Sequence, residues 1–179
     1  MEGGAAIASG GFGCVFRPSI KCKNKKTKKN TVSKLMMKEL AGREIMESKK
    51  IFNEVRKIPR SNDYFIIPSD MCQPGSLTSE DKLNFDTKCD SLLKEKINSK
   101  NINKSLTKLR TIQLPEGGDD LSNYFQNNII TVNRFIVINN QLIRLLTQGI
   151  VKMNSKYVFH FDIKSSNILI KDDGVKLID

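Results

Sequence analysis

The sequence predicts an α+β chain in two parts, and three observations carry that prediction. Between Ala5 and Leu114 several short β-type segments surround a single clear helical pattern. Pro115-Glu116-Gly117-Gly118-Asp119-Asp120 then forms a turn or linker, and beyond it a long apolar-faced helix is followed by a hairpin. With 179 residues, 39% hydrophobic and 27% charged, the chain can bury one generous core or two smaller ones and is too apolar to be disordered.

Ala5 to Arg17 is small and apolar around a glycine cluster, which predicts two short strands joined by a tight turn. Thr31 to Met36 reads as a third strand. From Lys38 to Ile58 the period becomes helical, with Ala41, Ile45, Phe52 and Val55 at three- and four-residue steps until Pro59 ends the run. Tyr64-Phe65-Ile66-Ile67 is β-branched and aromatic and reads as a strand stopped by Pro68. Residues 75–108 form a hydrophilic insertion in which Leu92, Leu93 and Ile97 mark one short amphipathic helix, and Arg110 to Leu114 is a further short strand. Past the linker, Val132, Phe135, Ile136, Leu142, Ile143, Leu146, Ile150 and Met153 predict one apolar face of a long helix. Ile168-Leu169-Ile170 and Val175 to Ile178 flank Asp172-Asp173-Gly174 as a hairpin. The expected parts are therefore residues 1–115 and 116–179.

Composition excludes several functions. Lys plus Arg number 30 against 19 acidic residues, a net charge of +11. The positive charge lacks interleaved aromatics or a recognition-helix signature, so no specific nucleic-acid partner is expected. The lysine-rich stretch of residues 21–30 reads as a solvated loop. Apolar runs fall far short of the roughly 18 residues a membrane span requires, and the start Met1-Glu2-Gly3-Gly4 is no secretory signal. A cytoplasmic protein is expected, its four cysteines (Cys14, Cys22, Cys72, Cys89) reduced and without zinc-type spacing.

Two segments carry chemistry. In Ala8-Ser9-Gly10-Gly11-Phe12-Gly13-Cys14-Val15 the glycines let backbone N–H groups approach a polyphosphate, although such a cluster also serves as a plain turn. In the second, Asp162 and Asn167 stand five residues apart and Asp179 follows twelve later. That spacing can converge one carboxylate as base with an amide and a carboxylate as hard oxygen ligands for Mg²⁺; the plain alternative is a surface turn before a hairpin.

Taken together, these residues are similar to the eukaryotic-type Ser/Thr protein kinase domain over essentially the whole chain. The resemblance implies a bilobal fold: a small lobe of antiparallel strands plus one helix, and an incomplete helical large lobe. Gly10 and Gly13 match the second and third glycines of the nucleotide loop, with Ala8 at the first, Gly11 between them and Val15 as the valine that packs on adenine. Val32-Ser33-Lys34 resembles the V-A-I-K strand, making Lys34 the contact to the ATP phosphates. Glu47 is the expected ion-pair partner of Lys34, ahead of Glu44, which lies nearer the centre of the apolar face but only ten residues past Lys34, and of Glu54. His160-Phe161-Asp162 stands for H-R-D: Asp162 as base, Lys164 stabilising the transferring phosphoryl group, Asn167 and Asp179 as Mg²⁺ ligands, and His160 a packed structural residue. Phe161 in place of arginine argues against control by activation-loop phosphorylation. The strand before the linker resembles the hinge that binds adenine; with Pro115 lacking an N–H, Gln113 and Leu114 are expected to supply the backbone contacts.

The implied activity is transfer of the ATP γ-phosphate to Ser/Thr hydroxyls of a protein substrate. The hinge and the Lys/Asn/Ile bias are similar to kinases of large DNA viruses, which would put a viral chain in the host cytoplasm. Because the sequence given ends at Asp179, before Phe-Gly and the rest of a large lobe, a fragment needing that segment or a partner chain for full activity is expected. A pseudokinase, or nucleotide-binding scaffold module, is the competing reading.

Overall fold

The computed structural model describes residues 4–25, 30–172 and 174–178. The chain divides into two compact units, one of Met1–Glu47 with Pro68–Glu116 and the other of Ser48–Ile67 with Gly117–Asp179. It is an α+β protein, and among the described residues no helix is long and apolar enough to cross a membrane.

The first unit is built on an antiparallel sheet in the order β1-β2-β3-β5-β4, comprising Ala5–Ser9, Gly13–Arg17, Thr31–Met37, Leu109–Pro115 and Asp70–Cys72 respectively. Alternation of side chains gives the sheet two covered faces. On one, Met36 and Ile112 pack with Ala41 and Ile45 of α1 (Lys38–Val55), the helix that follows β3 without a linker. On the other, Ala6, Cys14, Phe16, Leu35 and Leu109 meet Leu77, Phe85, Leu92, Ile97 and Ile102 of the 75–108 segment. That segment is thus less hydrophilic in effect than its composition implies. It carries two short helices, α2 (Phe85–Lys88) and α3 (Asp90–Lys94), and its scattered apolar residues supply half of the larger core of this unit.

The cysteines correct the sequence expectation. Cys14 is bonded to Cys89 and Cys22 to Cys72, leaving none reduced. The inserted segment folds back over β2 and brings the Cα atoms of Cys14 and Cys89 to 5.0 Å, while the bridge from Cys22 to Pro74 brings those of Cys22 and Cys72 to 5.8 Å, both within bonding range. Sequence spacing alone, 75 and 50 residues, gives no sign of either pair.

In the second unit a three-stranded antiparallel sheet, β6 (Asp119–Asp120), β7 (Ile168–Lys171) and β8 (Gly174–Leu177), pairs in that order. The helices are α4 (Leu121–Asn127, capped by the Asp120 carboxylate), α5 (Val132–Arg144, capped by the Thr131 hydroxyl) and α6 (Val151–Asn154), with a π-helical stretch, Leu145–Ile150, joining the last two. Gly149 lets Tyr64 pack closely on that stretch: a Cβ there would lie 3.0 Å from the Cβ of Tyr64, whose hydroxyl donates to Gln148 Oε1 at 2.7 Å.

The long helix differs from expectation in which face it buries. Ile138, Leu145, Ile150 and Met153 enter the core with Leu142 against it, whereas Val132, Phe135, Ile136, Ile143 and Leu146 are exposed. The sequence pattern merges two apolar faces into one. Val55, Ile58, Tyr64 and Phe65 join this same core, which is why residues 48–67 group here rather than with the first part of the chain. The expected strand at Tyr64–Ile67 is reduced to one parallel bridge, Phe65 to Leu177, with Ile66 N–H donating to the Leu177 carbonyl at 3.0 Å and Leu177 N–H to that of Tyr64 at 2.8 Å.

Candidate functional sites in the two units

In the first unit the glycine turn closes β1 onto β2, Gly10 N–H donating to the Gly13 carbonyl at 2.8 Å. Gly13 is required by packing, since a Cβ there would come within 2.9 Å of the Leu35 carbonyl. Gly11 borders open space, and Phe12 at the tip is 64% exposed. Register then sets a row across four strands: Ala8 opposite Val15, Val15 opposite Lys34, Lys34 opposite Ile112. Directly opposed residues of antiparallel strands share a face. A small residue, a valine and a lysine therefore lie side by side on the face that α1 covers farther along.

Lys34 Nζ lies 3.0 and 2.9 Å from the two carboxylate oxygens of Glu44, both side chains largely shielded from water. Here the sequence expectation is corrected: Glu44, and not Glu47, is the partner. At 100° per residue Glu44 falls about 60° from Ala41, the buried centre of the α1 face, and Glu47 about 120° away. Glu47 is accordingly exposed, and Glu54 binds Lys57. The apolar pattern already placed Glu44 near that face; its short sequence distance from Lys34 argued the other way and misled, because α1 starts directly where β3 ends.

The backbone contacts expected of Gln113 and Leu114 are also corrected. The Gln113 carbonyl accepts from the Ser69 N–H at 2.8 Å and the Ser69 hydroxyl at 3.2 Å. Its side chain is buried on the opposite face, accepting from the Ser19 hydroxyl at 2.7 Å and donating to Cys22 Sγ. Leu114 pairs with Val32 of β3, so its backbone is used inside the sheet as well. Only the side chain of Leu114, half-buried beside Ile112, faces the same side as Lys34.

In the second unit, Asp162, Lys164 and Asn167 come together on a loop anchored to the end of β8. Lys164 Nζ is 2.7 Å from Asp162 Oδ2, and Asn167 Nδ2 donates to the Asp162 carbonyl at 2.9 Å and to Oδ2 at 3.1 Å. His160 Nε2 lies 3.1 Å from the Ile178 carbonyl, its Nδ1 accepts the Asp162 N–H at 3.2 Å, and Ile178 N–H donates to the Asn167 carbonyl at 3.0 Å. The histidine thus braces the loop on both sides. The hydrogen bond from Lys164, its positive charge, and the Asn167 bond hold the Asp162 carboxyl below the usual carboxylate range. Phe161, which stands between these residues in sequence, is 93% exposed.

With its Nδ2 turned toward Asp162, Asn167 leaves its amide oxygen as the atom to meet a hard cation, the donor type Mg²⁺ takes. Asp179, the other expected ligand, lies outside the described residues. Among the described residues no group of three His, Cys, Asp or Glu side chains could hold a metal.

No protein-family model matches the chain, and no curated protein matches it.

Proposed function

We propose that the chain is the nucleotide-binding and catalytic-loop portion of a eukaryotic-type Ser/Thr protein kinase, with a small lobe of antiparallel strands plus α1 and the start of a helical large lobe. The observation that carries this reading is the Lys34–Glu44 pair, a strand lysine held bidentately by a glutamate of the next helix, which is the lysine–helix glutamate pair a kinase needs to hold ATP phosphates. The loop of Asp162, Lys164 and Asn167 supports it independently.

On this reading Lys34 binds the α- and β-phosphates, the Gly10–Gly13 turn covers them, and Val15 and Leu114 grip the base. The substrate hydroxyl donates a hydrogen bond to Asp162. As its oxygen attacks the γ-phosphorus and the bridging P–O bond breaks, the electron pair leaves with ADP and the proton passes to Asp162. A carboxyl held below its usual range is a weak base for an alcohol. Asp162 therefore orients the hydroxyl first and takes the proton only once bonding to phosphorus has made it acidic. Lys164 neutralises charge on the transferring group. Asn167 Oδ1 and Asp179 would hold Mg²⁺, which when bound neutralises charge on the phosphates. A protein bearing Ser or Thr is the substrate class. A cytoplasmic site, in the host for a viral chain, belongs to this reading and then requires a local thiol oxidant to keep both disulfides.

The test is thermal unfolding with Mg-ATP, which raises stability by RT ln(1 + [L]/Kd) for a bound ligand, together with γ-phosphate transfer to a Ser/Thr peptide. The expected result is an upshift abolished in Lys34→Met, and transfer, by this chain or by one extended past Asp179, abolished in Asp162→Asn. The engaged backbone of Gln113 favours the competing scaffold reading; an upshift with no transfer even from the extended chain would decide for it.

A further inference from the structure

The two disulfides stand in unlike surroundings. Cys14 and Cys89 are both fully buried, packed with Phe85 and Leu92 in the larger core of the first unit. Cys22 is half-buried and reaches solvent, and its partner Cys72 is 7% exposed. Exchange with an outside thiol needs a line of attack on a sulfur. Spans of 75 and 50 residues differ too little for loop closure to separate the two bonds, so access decides between them.

Around Cys22 the backbone is held by contacts that do not run through sulfur. Cys22 bridges Pro74, Lys23 N–H donates to the Gln73 carbonyl at 2.8 Å, and Gly75 N–H to the Lys21 carbonyl at 2.8 Å. Lys25 Nζ adds an ion pair with Asp70 Oδ2 at 2.8 Å. These contacts bracket Cys72 and keep it within reach of Cys22 for reclosure. Gln113 Nε2 donates to Cys22 Sγ at 3.7 Å, a bond that strengthens when the sulfur carries charge. Lys21 and Lys23, exposed on either side of Cys22 in the chain, favour approach of an anionic thiolate.

We infer that Cys22–Cys72 is a reversible thiol–disulfide exchange site for small anionic thiols of the glutathione class, and that Cys14–Cys89 is a structural bond outside that exchange. The incoming thiolate attacks Cys22 Sγ. Its sulfur bonds to Cys22 as the Cys22–Cys72 bond breaks, and the electron pair leaves with Cys72, which takes up a proton. A second small thiolate attacks the outer sulfur of this mixed disulfide and releases Cys22, which is protonated in turn. The protein pair gains two electrons and two protons from two small thiols, which leave as one disulfide; the reverse sequence recloses the bond. The inference stands independently of the nucleotide site.

The test is partial reduction of the whole folded chain with reduced glutathione, quenched by iodoacetamide and read by peptide mass mapping, with urea unfolding of the same samples to follow the fold. Cys22 and Cys72 should be labelled at least about tenfold faster than Cys14 and Cys89, which wait on opening of the core. The glutathione adduct should sit on Cys22, and oxidised glutathione should restore the bond. Opening of Cys14–Cys89 at a comparable rate, an adduct on Cys72 instead, or no labelling before the chain unfolds would each overturn the inference. In Cys72→Ser the unpaired Cys22 should take glutathione from its oxidised form at least about tenfold faster than Cys72 does in Cys22→Ser; equal rates would overturn it as well. Lys21→Gln with Lys23→Gln should slow attack by glutathione about two- to fivefold and leave attack by neutral mercaptoethanol unchanged. Absence of that selective slowing would overturn the assignment to anionic thiols.

Discussion

Removing the two disulfides should cost the first unit most of its stability, and the nesting of the loops fixes how the loss divides. Taken alone, the Cys14–Cys89 bond closes a 75-residue span and the Cys22–Cys72 bond a 50-residue span. The chain-entropy relation assigns them about 4.5 and about 4.1 kcal/mol at 25 °C. They are not independent, because Cys22–Cys72 lies inside the other loop. Once it is closed, the outer bond constrains only the difference, 75 less 50 or about 25 residues, and adds about 3.5 kcal/mol. By the same cycle the inner bond adds about 3.1 kcal/mol when the outer is present. Either Cys→Ser pair alone should therefore lower stability by about 3 to 3.5 kcal/mol, and reduction of both by about 7.5 kcal/mol, more than many small domains possess. The assay is urea unfolding of protein refolded under oxidising glutathione, alongside thiol titration of the urea-denatured, unreduced chain. Four titratable thiols there, or a stability unchanged by dithiothreitol, would refute the reasoning.

Glu44→Gln should weaken Mg-ATP binding by about 10- to 100-fold, as expected for losing a shielded charge-assisted pair, while Glu47→Gln stays within about twofold in the same titration. Equal effects would restore Glu47 as the partner. Phe85→Ala removes a fully buried ring packed 6.3 Å from that of Phe16, and should cost about 3–5 kcal/mol in denaturant unfolding; a loss under about 1 kcal/mol would mean the 75–108 segment is not core. Asp162 has a lowered folded pKa, so its contribution to stability is present above the unfolded carboxylate value and lost as pH falls through the folded one. Carboxyl NMR should put its midpoint below the usual range, and Lys164→Met should move it up; an unmoved midpoint would show that Lys164 does not set it.

The elements legible in the sequence are those whose signal is local. Strands β1 to β3, helix α1 and the β7–β8 hairpin follow from alternation, helical period and turn residues within a few positions of their observed ends. What escaped depends on contacts between distant residues. Leu77, Phe85, Leu92, Ile97 and Ile102 form no period, since they sit on short helices and turns that only tertiary packing orders. The Cys14–Cys89 pair follows from that same packing, and the Cys22–Cys72 pair from the bridge between Cys22 and Pro74, equally distant in sequence. Asp162, Lys164 and Asn167 lie within six residues of one another and do meet, as a short loop with a fixed hydrogen-bond pattern should. The strand Tyr64–Ile67 failed for the opposite reason: its composition suits a sheet, but its neighbours leave it one bridge to β8.

The 75–108 segment and the disulfides together explain how a glycine turn with an exposed tip is fixed at its base. A two-stranded hairpin is marginal in water, and β1 ends the sheet with one neighbour. Ala6, Cys14 and Phe16 are nevertheless almost fully buried, because Leu77, Phe85 and Leu92 cover them and Cys89 is bonded to Cys14. That bond begins one residue after Gly13, so restraint stops where the turn starts. Gly11 and Phe12 border solvent, while Ala8, Val15 and Lys34 hold their register beneath; on the proposed reading that exposed tip is the part that meets the polyphosphate. Detaching the segment from β2 should therefore act on ligand affinity through the base of the hairpin, even though no residue of 75–108 belongs to the proposed site.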